Sequence, residues 1–203
     1  MKTSFKVPLF AMLAILTSCQ NTDKKSTADG TTLSPSNPFL NQSKLPYQAP
    51  DFDHIKNSDF KPAFEEGMKI HLEEIQKIAG NTETPTFENT LVAMEKSGEM
   101  LTRVNRIFGV LTGANTNDEL QKLQEEIAPK LAAHQDAISL NPELFKRIES
   151  IYNTREKLKL DQESKRLIEY YYQTFVLAGA KLSETDKTSL KKLNEQEASL
   201  SAK

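Results

Sequence analysis

The sequence predicts an all-α fold, on three observations. Only 7 of the 203 residues are glycine, while Leu, Lys, Glu, Ala and Gln, all good helix formers, are plentiful. From Phe60 onward apolar residues recur every three or four positions, the spacing of one helix face. No stretch alternates convincingly at period two, so no strand is expected.

The first face is traced by Phe60, Phe64, Met68, Leu72, Ile75 and Ile78. Asp59 can cap its start, Pro62 falls in its first turn and Gly80 can close its end. "NTETPTF" breaks the chain at Pro85. Phe87, Leu91 and Met94 begin a second helix that stops near Gly98, and Leu101, Val104, Ile107, Phe108 and Leu111 mark a third. "TGANTND" reads as a turn, with Asn117 or Asp118 placed to cap a fourth helix. Its stripe is Leu120, Leu123, Ile127, Leu131 and Ile138, and Pro129 is expected to bend it. Asn141 ends that helix, and Pro142 opens a fifth through Phe145, Ile148 and Ile151. A sixth carries Leu167, Ile168, Tyr171, Tyr172, Phe175 and Val176 and ends near Gly179. Ser183 starts a seventh, with Asp186 at the capping-box position. There Leu190, Leu193 and Leu200 keep the period, and no Gly, Asn or Pro follows before Lys203. Such a helix is expected of a chain cut short within a longer protein.

The front of the chain is of another kind. Lys2 and Lys6 precede an apolar run, Val7 to Leu16. At about ten residues it is too short to span a bilayer, which takes about 20. It leads into Leu16-Thr17-Ser18-Cys19, and Cys19 is the sole cysteine. Small or hydroxyl residues before a cysteine at this place resemble the bacterial lipobox, which implies cleavage before Cys19 and acylation of it. Several acyl chains anchor far better than one. The segment Gln20 to Pro38 is rich in Ser, Thr, Asn and Asp without apolar period, as in a tether. The expected organisation is a signal peptide at 1–18, an acylated cysteine and flexible tether at 19–45, and a helical body at 46–203. Gln20, rather than Asp, after the cysteine favours the outer membrane within a bacterial envelope.

A net charge of −2 and a pI near 6.0 give no electrostatic footprint for nucleic acid, and none is expected as partner. One cysteine excludes an internal disulfide and two-cysteine metal motifs. The histidines His54, His71 and His134 are followed by Ile55, Leu72 and Gln135, so none opens an H-E-x-x-H motif. His71 and Glu74 stand at i, i+3 and could supply half a metal site. Both His71 and His134 lie beside apolar stripes and read as packed histidines rather than ligands. Glu65-Glu66, Glu73-Glu74 and Glu125-Glu126 read as solvated helix faces. The aromatic run "EYYYQTF", Glu169 to Phe175, fits core on one side and could line a groove on the other. No nucleophile elbow or phosphate-binding glycine loop occurs. Cys19, for lipid attachment, is therefore the single residue assigned a chemical role, with no catalytic, cofactor or metal residue.

Three separated stretches carry a resemblance. "PTFENTLVAMEKSGEMLTRVNRIFGVL" (85–111), "APKLAAHQDAISLNPELFKRI" (128–148) and "LIEYYYQTFVLAGAKLSETDKTSLKKLNEQEASLS" (167–201) resemble the N-terminal region of peptidyl-dipeptidases. These belong to the thimet oligopeptidase and neurolysin family of zinc metallopeptidases. "NPFL" at Asn37 and Phe64 to Asn81 match in style. The resemblance implies a helical array forming part of the channel wall of a larger enzyme. That enzyme would act on short peptides and release C-terminal dipeptides, with zinc held by H-E-x-x-H and a downstream glutamate. The implied zinc site lies downstream of Lys203, so this chain is expected to bind no zinc and to be inactive alone. The alternative is a non-enzymatic helical envelope lipoprotein that binds peptides or a protein partner. A structural lipoprotein of the envelope is a third reading.

Overall fold

The structure, a computed structural model, describes residues 33–203. The expected signal peptide, Cys19 and the outer part of the tether lie outside the described residues. Among the described residues there is no strand, and the fold is all-α.

Helix α1 spans Asn57–Ala79. A π-helical turn, Phe87–Val92, runs into the short α2, Ala93–Glu95. Helices α3 (Glu99–Ala114), α4 (Asp118–Ser139), α5 (Pro142–Thr154), α6 (Gln162–Leu177) and α7 (Glu184–Ser201) follow. The caps explain the starts. Asn117 Oδ1 accepts from the Glu119 and Leu120 amides, and Asn141 Oδ1 from Leu144. Asp161 and Ser183 receive the amides of Ser164 and Asp186. Each cap satisfies an amide that the first turn leaves without an intrahelical partner. Asp59 acts from inside α1, its Oδ2 accepting the Lys56 amide at 2.9 Å. Helix α4 continues as helix through Pro129.

The apolar stripes fill two clusters. One joins Phe60, Phe64 and Met68 of α1 to Leu101, Val104 and Phe108 of α3 and to Leu120 and Ile127 of α4. Phe108 meets both Phe60 and Phe64 edge-on at 5.2 Å. The other joins Ile75 and Ile78 of α1 to Leu91, Met94, Ile138, Leu144, Ile148, Ile168 and Phe175. Arg147 ties that second cluster to the 80s loop. It is buried and donates to Thr90 Oγ1, Asn89 Oδ1 and the carbonyls of Asn81 and Glu83.

Within the span read as tether, Phe39 is 1% exposed and packs at a tilt against Phe60, with ring centroids 4.9 Å apart. Asn37 fixes the segment by donating to the Asp59 carbonyl and accepting the Phe39 amide. One aromatic anchor carries no period, so the sequence pattern does not show it. On α7 the leucine stripe is not the packed face. Leu193 and Leu200 are 60% and 70% exposed. Helix α7 packs against α4, with Asn194 donating to the buried Asp136 at 2.7 Å.

Phe39→Ala should lower stability by about 3 kcal/mol, the usual cost of emptying a fully buried phenylalanine site. Urea unfolding midpoints of the two proteins measure it. A change under about 0.5 kcal/mol would contradict the burial of Phe39 described here.

Candidate functional site

A concavity lies where the segment before α1 crosses α3. It encloses about 760 Å³. Phe39, Leu45, Ile55 and Ile107 contribute its apolar lining. Lys44, Arg103 and Arg106 bring positive charge, and Asp51, Glu95 and Glu99 negative charge. Arg103 Nη2 donates to the Phe39 carbonyl at 2.9 Å and so pins the crossing segment to α3. Tyr47 and Gln48, on the rim, have φ of 58° and 57°. That left-handed region is uncommon for residues with a Cβ. Tyr47 is fully exposed.

Ser97 links this cleft to a polar chain inside the bundle. Its hydroxyl donates to the Met94 carbonyl at 2.7 Å and stands 3.2 Å from His71 Nε2. His71 Nδ1 lies 3.0 Å from His134 Nε2. Residues from α1, α4 and the 96–98 turn thus meet in one line. The turn is further held by Glu74, whose Oε2 accepts the Gly98 amide at 2.7 Å. Gly98 has φ +69°, and a Cβ there would stand 2.8 Å from His71 Nδ1. Both histidines are held neutral chiefly by burial. His134 is pushed down to about 4, with His71 beside it adding to the effect. His71 is lowered less completely, because the Glu74 carboxylate acts in the opposite direction.

Residues 64–187 match the family described as Neurolysin/Thimet oligopeptidase, N-terminal domain. The chain belongs to this family. It is 52% identical over 166 residues to the dipeptidyl carboxypeptidase of Escherichia coli K12, covering 82% of this chain and 24% of that protein. The Salmonella typhimurium protein of the same name is 49% identical over 164 residues, 81% of this chain and 24% of that one. Organellar oligopeptidase A of Arabidopsis thaliana is 24% identical over 182 residues, 88% of this chain and 22% of the relative. The chain thus spans about a quarter of the length of these relatives.

Among the described residues, no three His, Cys, Asp or Glu side chains converge as a metal-holding group. His71 and His134 face each other through one hydrogen bond, so their adjacent nitrogens do not point at a common third atom. This donor set does not fit zinc. His54 is exposed and pairs with Asp51, which raises its proton affinity. The glutamate pairs divide. Glu65 and Glu126 share Lys130 across α1 and α4, and Glu126 also binds Lys61. Glu74 is the Gly98 acceptor rather than part of a solvated face.

The aromatic run splits as its period implies. Ile168 and Phe175 are buried, and Tyr170 is exposed. Tyr171 donates to Glu95 Oε1 at 2.7 Å, with burial pushing its phenol up. Tyr172 stacks on Tyr152 at 3.8 Å, with Arg155 over the far ring.

Stability should fall as the solution is acidified below neutrality. The unfolded histidines take up protons near 6.5, whereas folded His134 resists until about 4. Their contribution is therefore complete above about 6.5 and is lost as pH drops through that window, by at most ~1.4 kcal/mol per unit for each histidine. Urea midpoints at pH 7.5, 6.0 and 5.0 test this, and His134→Gln should flatten the slope. Gly98→Ala should cost about 1–3 kcal/mol through backbone strain and displacement of the His71 ring. A melting temperature unchanged by that substitution would contradict the packing described.

Proposed function

We propose that this chain is the N-terminal part of a zinc-dependent peptidase that releases dipeptides from the free C-termini of short peptides. The observation that carries the reading is 52% identity to a dipeptidyl carboxypeptidase across 82% of this chain. In this reading α1 to α7 are wall, shaping access for extended peptides, and the zinc-binding residues belong to sequence outside residues 33–203. The exposed Leu193 and Leu200 of α7 support it, since a helix with two leucines in water is suited to further packing. A lipid on Cys19 would hold the protein on the bacterial envelope, and acyl anchoring of this kind needs more than one chain to be stable.

A second reading has its own support. The 760 Å³ cleft is formed within this chain and presents both charge signs around an apolar floor. A non-enzymatic lipoprotein could use it to bind peptides or a partner. Two measurements separate the readings. DNA beyond codon 203 should continue in frame to an H-E-x-x-H motif, and the whole product should release dipeptides from a blocked tetrapeptide. Purified residues 19–203 alone should release none. Hydrolysis by this chain alone, lost with chelator and restored by zinc, would overturn the assignment of the chemistry to sequence elsewhere. A stop codon after Lys203 in independent isolates would favour the second reading. Cys19→Ala should move the protein from the membrane fraction to the soluble extract, and an unchanged fractionation would remove the anchor from the proposal.

A further inference from the structure

We propose that the Ser97–His71–His134 chain is a proton-operated lock that fixes the 96–98 turn and the adjoining cleft wall at neutral pH and releases them in acid. The inference rests on geometry and stands whether or not the protein is catalytic.

The proton positions follow from the hydrogen bonds. Ser97 has one hydroxyl hydrogen, and the Met94 carbonyl at 2.7 Å takes it. Turning that hydrogen elsewhere would set two oxygens with lone pairs against each other. Ser97 Oγ therefore accepts from His71 Nε2–H, which leaves His71 Nδ1 as an acceptor. His134 Nε2–H donates to it. The last nitrogen, His134 Nδ1, is a bare lone pair, buried without a hydrogen-bond partner.

An added proton has no good place to go. On His134 Nδ1 it makes a charged N–H in a buried position without an acceptor, which is more costly than a neutral orphan. On His71 Nδ1 it opposes His134 Nε2–H. The contact then survives only if His134 moves its own hydrogen to Nδ1, which gives the same orphan donor. Two protons set N–H against N–H and break the chain. The first proton therefore leaves a buried donor without an acceptor, and the second has to separate the rings.

The surrounding charges do not relieve this. On α1, Glu74 acts on His71 through space while its Oε2 holds the Gly98 amide. Glu95 is bonded to Tyr171 of α6, and Lys96 and Glu99 are exposed. On α4, Lys130 sits between Glu65 and Glu126, and Asp136 is bonded to Asn194 of α7.

What the rings hold is the entry to α3. Gly98 packs on the His71 ring, and its carbonyl accepts the Thr102 amide in the first turn of α3. Ser97, Glu99, Thr102 and Arg103 line the cleft. Separation of the rings removes the support that His134 gives the His71 ring, and leaves the turn held by the Ser97–Met94 and Gly98–Glu74 bonds.

The test is a titration of the histidine ring signals and backbone amides from pH 7.5 to 4 by NMR. His54, exposed and paired with Asp51, is the internal reference. At neutral pH both His71 and His134 should show the Nε2–H tautomer. As pH falls, exchange protection of the Ser97 and Gly98 amides should drop about tenfold or more, in step with His71 and His134 and after His54. His134→Gln offers a donor that can turn over and present its oxygen to a protonated His71, so the turn should stay protected into acid. Glu74→Gln keeps an acceptor for Gly98 without the carboxylate and should keep the step. The proposal is overturned if the turn opens in step with His54, or stays closed while both rings are protonated. Loss of the step in Glu74→Gln would also overturn it. Should either variant fail to fold, the titration of the unsubstituted protein decides alone.

Discussion

Helix α1 has to serve two cores at once, and the rest of the fold depends on it. Its first half places Phe60, Ala63, Phe64 and Met68 in one cluster, and its last turns place Ile75 and Ile78 in the other. Helices α3, α4 and α5 all pack on it. Gly67, midway, lets α3 come close, since a Cβ there would lie 3.1 Å from Leu101 Cα. His71 falls between the two apolar halves. A polar residue at the junction of two cores needs its hydrogen bonds supplied from neighbouring elements, and α4 and the 96–98 turn supply them. The position of the polar chain is thus a consequence of how α1 divides its surface.

Much of this was legible in the sequence, and the illegible part has a common cause. Period and caps are local, so the stripes on α1, α3, α4, α5 and α6 and the caps at Asn117 and Ser183 could be read directly, while Asn141, read as the end of α4, also caps α5. Partners far apart in the chain could not. His71 and His134 are separated by 63 positions, and Arg147 reaches back to Asn89 and Thr90. A period says which face is apolar and not which helix meets it. Glu74 looked solvated because its neighbours are charged, yet its acceptor role depends on a turn that arrives 24 residues later. Phe39 had no repeating neighbours to mark it.

Helix α7 shows the same limit from the other side. Its leucines keep a helical period, but Lys187 is the buried residue, Leu190 is half-buried, and the bond to α4 is made by Asn194. Lys187 is 5% exposed and bonds Glu184 from its own helix. Apolar area left in water forgoes about 25 cal/mol for each Å² that could be covered. That imbalance, together with a chain spanning 24% of its bacterial relatives, supports the proposal that α7 serves a larger body.

The histidines show what this part of the chain does with its imidazoles. A metal ligand must offer an unprotonated nitrogen toward the ion, and two or three such nitrogens or carboxylates must share one target. With the Ser97 hydroxyl committed to the Met94 carbonyl, the proposed tautomers have His71 Nδ1 receive a hydrogen from His134 and His71 Nε2 give one to Ser97. One lone pair is left, on His134 Nδ1, enclosed and alone. The same tautomers that close the pair to a metal make it responsive to protons, because the chain holds only while one ring offers a bare nitrogen to the other. In this part of the protein, imidazole chemistry therefore bears on how the helices are held.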